Sequence, residues 1–218
     1  MMVAPHHLAA KTGSDILKEG GNAVEAMIAS AAVISVVYPH MNSMGGDNFW
    51  LISDKNKKVT AIDACGNAAN YASIDFYKKQ YLNQIPSRGA LSALTVPGAV
   101  SGWKLAHDFS VKNFGGKLPL SRLLYDAEQV SKDGIAVTNT LKNNLKSKLS
   151  QLIDIPGFKE IYLKDGRIPE VGDKLVFLSM SKTFSKLIQN GLEDFYLGEI
   201  SESIISDLSD LGSPLSEN

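Results

Sequence analysis

The chain has 218 residues, 44% hydrophobic and 21% charged, and its 22 Lys and Arg against 23 Asp and Glu leave a formal charge of −1. A chain this long can build a core without disulfides or metal, and near-neutrality without a block of like charges argues against nucleic acid or an anionic membrane as the main partner. The one cysteine, Cys65, has no internal disulfide partner, which fits a reducing compartment.

In chain order, Pro5 opens a helical stretch in which Leu8, Ala9, Thr12, Ile16 and Leu17 recur at three- and four-residue spacings until Gly20-Gly21 stops it. Asn22 with Glu25 three residues on forms a variant capping box for the next helix. The apolar run 26–38 that follows is shorter than the roughly 20 residues a bilayer span needs. It follows Lys18, Glu19 and Glu25 rather than a basic leader, so a buried helix ended by Pro39 is expected, with no secretory signal and a cytoplasmic location.

Next comes Asn42-Ser43-Met44-Gly45-Gly46-Asp47-Asn48, a turn-rich loop whose glycines are expected at positive φ, with Asp47 as a turn residue. Phe49-Trp50-Leu51-Ile52 and Val59-Thr60-Ala61-Ile62 flank a polar loop and predict a β-hairpin, and apolar residues on both faces predict that it is buried. Further on, helices are expected over 73–82, 97–109, 120–132, 138–152, 179–190 and 199–211, packed on the hairpin's sheet. Gly134 and Gly191 close two of them. Thr95-Val96-Pro97-Gly98 reads as a loop entering a helix, Trp103 as core, and 161–171 as a short hairpin or loop. No internal repeat or interdomain linker is evident.

Several chemistries leave no signature. Gly115-Gly116-Lys117 lacks the remaining elements of a phosphate-binding loop, and no G-x-G-x-x-G occurs. Adjacent His6 and His7 point to different faces of a helix, and neither His40 nor His107 has a second ligand at helical zinc spacing, so no metal site is expected. His107 reads as a packing or hydrogen-bonding residue. As a nucleophile Cys65 has nothing nearby to depress its pKa, and a small buried hydrophobe is the simpler reading.

A constellation remains: Leu17-Lys18-Glu19-Gly20-Gly21-Asn22-Ala23-Val24-Glu25-Ala26, Tyr38-Pro39-His40, Met44-Gly45-Gly46-Asp47-Asn48-Phe49 and Thr95-Val96-Pro97-Gly98-Ala99-Val100-Ser101-Gly102. Ala127-Glu128-Gln129-Val130-Ser131-Lys132-Asp133-Gly134 and Asn190-Gly191-Leu192-Glu193-Asp194-Phe195-Tyr196-Leu197-Gly198 follow in order. Together they resemble the gamma-glutamyltransferase (gamma-glutamyltranspeptidase) family along nearly the whole chain. The resemblance implies an α+β fold, the N-terminal nucleophile hydrolase α/β/β/α sandwich, of which residues 1–218 give the largely helical N-terminal portion of the large-subunit region plus the buried hairpin. It also implies a precursor that cuts itself in two. The new N-terminal Thr of the small subunit attacks an amide, its own α-amino group acting as base and nearby donors holding the oxyanion.

By that resemblance no catalytic residue lies in this segment, and the chain alone is expected to be inactive. Its partners would be its own C-terminal (small) subunit and a γ-glutamyl or related amide substrate such as glutathione, with no cofactor, metal, nucleic acid or membrane span. Ser213-Pro214-Leu215-Ser216-Glu217 looks like the entry to a further helix, so the natural polypeptide is expected to continue. Where the family carries an Arg that grips the substrate's α-carboxylate, this sequence has Cys65, with Gly66 and Asn67 next, and these three are the substrate-binding candidates. Cys offers neither charge nor a bidentate fork. Arg88 is the nearest candidate replacement in sequence. Two alternatives stay open: a related amidase with another acyl group, and a non-catalytic scaffold subunit.

Overall fold

A computed structural model describes residues 1–80 and 83–216. In chain order its helices are α1 (His7–Lys18), α2 (Ala23–Val37), α3 (Ile74–Lys79), α4 (Ala99–Phe114), α5 (Leu120–Asp133), α6 (Asn139–Leu152), α7 (Phe158–Tyr162), α8 (Leu178–Asn190), α9 (Asp194–Leu197) and α10 (Glu199–Asp210). The strands are β1 (Asn48–Ser53), β2 (Val59–Ala64), β3 (Ile135–Ala136) and β4 (Lys174–Leu175), paired antiparallel as β1–β2 and β3–β4. The expected end of the third helix near Leu82 lies outside the described residues.

The chain divides into two compact units. The first holds Met1–Cys65, Pro97–Ala136 and Lys174–Glu193, and in it α2 is the central helix, packed by α1, α4 and α5. Because α2 is apolar on every side, it is buried on nearly every side. Its two interior serines are accommodated there, and Ser35 Oγ donates to the Ala32 carbonyl at 2.7 Å. Ile16, Ile28, Val33, Val36, Trp103, Leu123, Phe184 and Leu187 fill the core around it.

The capping box forms as the sequence predicts: Asn22 Oδ1 accepts from the Val24 and Glu25 amides at 2.9 and 3.0 Å, and Glu25 Oε2 accepts from the Asn22 amide at 2.7 Å. Glu25 also reaches outside its helix. Its Oε1 accepts the amides of Lys117 and Leu118 at 2.7 and 2.8 Å, so a side chain only 1% exposed serves three backbone donors. Ser110 explains why α4 continues past the expected end at Phe109. It is buried, its hydroxyl accepts from Asn22 Nδ2 at 2.7 Å, and the helix stops only at left-handed Gly115.

Two expectations are corrected in this unit. The hairpin is covered on one face only: Asn48, Trp50, Ile52, Ile62 and Ala64 turn toward α4, while Phe49, Leu51 and Val59 are 69%, 81% and 61% exposed. Strand alternation sends successive side chains to opposite faces, and α4 reaches only one of them. Nor do His6 and His7 diverge on a helix. His6 precedes α1 as its N-cap, its Nδ1 accepting the Leu8 amide at 3.3 Å, and the two rings stack 4.5 Å apart.

The second unit, Gly66–Val96, Val137–Asp173 and Asp194–Asn218, carries α3, α6, α7, α9 and α10. Its buried residues include Tyr77, Leu141, Leu145, Phe158, Phe195 and Ile200. Within 161–171 only an isolated bridge forms, Lys164 to Arg167 across Asp165-Gly166, and α7 precedes it. No helix among the described residues is long and apolar enough to cross a membrane.

Candidate functional site

Cys65 leaves the end of β2 at the hairpin's junction with α4. Two glycines allow that junction. A Cβ on Gly98 would lie 2.0 Å from the Ala64 carbonyl oxygen, and one on Gly102 1.9 Å from Asn48 Oδ1. With hydrogen in its place, α4 presses onto the hairpin and Asn48 bridges the two, its Nδ2 donating to the Ala99 carbonyl at 2.8 Å and its Oδ1 accepting from Trp50 Nε1 at 2.9 Å. The motif from Val96 to Gly102 is therefore architecture, as its sequence indicates.

Asp47 is more than the turn residue expected. Its Oδ1 accepts the Gly98 amide at 3.3 Å, at the start of α4 where the helix dipole favours an anion, and Oδ2 lies 3.7 Å from Cys65 Sγ. The adjacent Gly46 carbonyl accepts the Ala99 amide at 2.8 Å. On the other side Asp63 Oδ1 accepts the Cys65 amide at 3.0 Å. The negative charge of Asp47 foremost, then partial burial and Asp63, push the Cys65 thiol above its ordinary pKa, so it stays protonated and is a hydrogen-bond donor rather than a thiolate nucleophile. It is also exposed, which corrects the reading of a buried small hydrophobe.

The expected positive φ at Gly45-Gly46 is absent. Built Cβ atoms there would meet only Ser43, at 3.4 and 3.6 Å, so the loop's own packing does not call for glycine. Bare backbone of this kind admits close approach by another group. In the second unit, Gly66 and Asn67 pair with the 94–96 segment: the Val96 amide donates to the Asn67 carbonyl at 2.9 Å, and a Cβ on Gly66 would lie 1.5 Å from the Val96 carbonyl oxygen. Gly66 is thus required by packing. The Asn67 side chain is exposed. Arg88, also in that unit, is exposed and donates from Nη1 to the Ser87 carbonyl at 3.2 Å. No cluster of three potential metal ligands occurs among the described residues.

Residues 9–218 match the family model for gamma-glutamyltranspeptidase. The chain belongs to that family. It is 44% identical over 215 residues to the oxamate amidohydrolase proenzyme of Klebsiella pneumoniae, covering 99% of this chain and 40% of the relative. It is 33% identical over 215 residues to the glutathione hydrolase proenzyme of Escherichia coli, covering 97% and 36%. The crystal structure of Helicobacter pylori gamma-glutamyltranspeptidase superposes with a TM-score of 0.89 at 27% identity, over 100% of this chain and 62% of that one. The chain therefore has the α+β N-terminal nucleophile hydrolase fold of the family, contributing a largely helical part with one hairpin, and spans about two fifths of these curated relatives' length.

Sequence reasoning missed Asp47 as the neighbour of Cys65. Its signal was weak: a carboxylate ahead of a strand reads as a turn residue, and only the return of α4 to the hairpin's end gives it a second partner.

Proposed function

We propose that residues 1–218 form the N-terminal portion of the large-subunit region of an autoprocessed N-terminal Thr amide hydrolase or acyltransferase, acting on γ-glutamyl compounds such as glutathione. The family match over residues 9–218, with relatives named as proenzymes, carries this reading. In it the Thr nucleophile belongs to the small subunit, the chain's protein partner, and the 218 residues alone are inactive. Their part is to shape the acyl pocket through Cys65, Gly66 and Asn67. The free, exposed thiol of Cys65 supports a reducing, cytoplasmic setting.

One observation favours a second reading of the acyl group. The thiol that stands where the family's Arg is expected points at Asp47, with Asp63 on its other side, so the local charge is negative where a substrate carboxylate calls for a cation. Leaving a carboxylate without its partner costs about 2–5 kcal/mol. An amide whose acyl group places no carboxylate at this corner suits it better: oxamate, for which the 44% identical relative is named, carries its carboxylate directly on the amide carbonyl, three carbons nearer the reacting bond than the α-carboxylate of a γ-glutamyl group. The full-length polypeptide, purified and incubated with a γ-glutamyl anilide and with oxamate, separates the readings. Self-cleavage with release of glutamate supports the first, and self-cleavage with release from oxamate alone supports the second. Absence of self-cleavage rejects both and leaves a non-catalytic scaffold.

A further inference from the structure

The 39–47 loop between α2 and β1 holds an enclosed histidine that the proposed function does not use. His40 follows the end of α2, its ring edge-on to Tyr38 at a centroid distance of 4.2 Å. His40 as a whole is half-buried, but both ring nitrogens are buried, and neither has a hydrogen-bond partner among the described residues. A neutral imidazole leaves one donor and one acceptor unmatched in such a place. An imidazolium would leave two donors and a charge unmatched, which is far worse.

The surroundings offer no relief. His40 borders a cavity of about 290 Å³ walled by α2, the loop, β1 and α4. Among the residues around it Asp47 carries the only other charge, and its two oxygens face the Gly98 amide and Cys65 Sγ. Tyr38, against the ring, is the remaining titratable neighbour. The loop is pinned at both ends. The Met41 and Asn42 amides donate to the Tyr38 carbonyl at 3.0 and 3.1 Å, and the Gly46 carbonyl accepts the Ala99 amide at 2.8 Å. The cavity lies between those pins.

We propose that His40 is an acid-operated latch: protonation drives its ring out of this enclosure, frees the 39–47 loop from α4, and carries Asp47 away from Cys65. Burial alone holds the enclosed imidazole below the ordinary value of 6.5 that it regains once solvated. The open loop therefore binds the proton more tightly. The closed form is complete above that value, is lost as pH falls through the lowered one, and returns on neutralisation.

Trp103, 2% exposed and lining the same cavity, reports the opening. In the full-length polypeptide, ¹³C-labelled histidine is titrated by NMR with His40 assigned through His40→Phe, and emission is followed in parallel, the Trp103→Phe difference isolating the signal. The latch predicts that His40 titrates below the ordinary histidine range, that Trp103 emission shifts to the red reversibly over that same range, and that His40→Phe abolishes the shift. An ordinary or raised midpoint for His40 overturns it, as does an unchanged transition in His40→Phe. Should that variant fail to fold, the wild-type curves decide: coincident midpoints support the latch, and separated midpoints overturn it.

Discussion

At the start of α2 a buried carboxylate serves three backbone amides, whereas just past its end an enclosed imidazole has both nitrogens unmatched among the described residues. The two groups lie on either side of one apolar helix. Glu25 ties the Gly20-Gly21-Asn22 joint to the approach to α5, so its burial adds rigidity. His40 ties nothing, so its burial makes the loop dependent on its protonation state. Buried polarity thus fixes structure where every partner is present and leaves it conditional where partners are missing.

Mutations can break or sharpen that contrast. Glu25→Ala orphans three amides and is expected to destabilise by about 3–5 kcal/mol in urea unfolding. A loss below about 1 kcal/mol would mean that the carboxylate is not what holds this end. Asn22→Ala removes the cap and the link to Ser110, with an expected loss of about 1–2 kcal/mol by the same measurement. His40→Phe replaces an unmatched polar ring by an apolar one of similar size, so at neutral pH it should leave stability unchanged or raise it by about 1 kcal/mol. Clear destabilisation there would reveal a partner for the imidazole. Gly45→Ala, at a position neither left-handed nor crowded, should change stability by less than about 0.5 kcal/mol. If turnover of the full-length protein nevertheless falls, the bare backbone serves an approaching group.

The legible parts of the fold were those written in local chemistry. Asn22 and Glu25 announced α2, Gly134 and Gly191 closed their helices, and turn residues marked the hairpin. What escaped depended on distant segments. Phe49 and Leu51 made β1 look buried on both faces because alternation fixes which side a residue takes, not whether anything covers it. Ser110 fell just outside the expected helix over 97–109, because its partner, Asn22, is far away in sequence. Gly45-Gly46 looked like a left-handed turn because glycine permits one without requiring it. At the candidate site Cys65 was found by resemblance alone; Asp63 stands two residues before it in the sequence, whereas Asp47 emerged as its neighbour only where α4 brings Gly98 against Asp47.

The proposal that Cys65, a thiol among acids, stands in the place of a carboxylate-gripping Arg is tested most directly by kcat/KM of the full-length protein for a γ-glutamyl anilide, before and after Cys65→Arg. The account predicts a gain of at least about tenfold, held below the full value of a carboxylate pair because Asp47 and Asp63 compete for the guanidinium. No gain in a variant that folds and self-cleaves would contradict it.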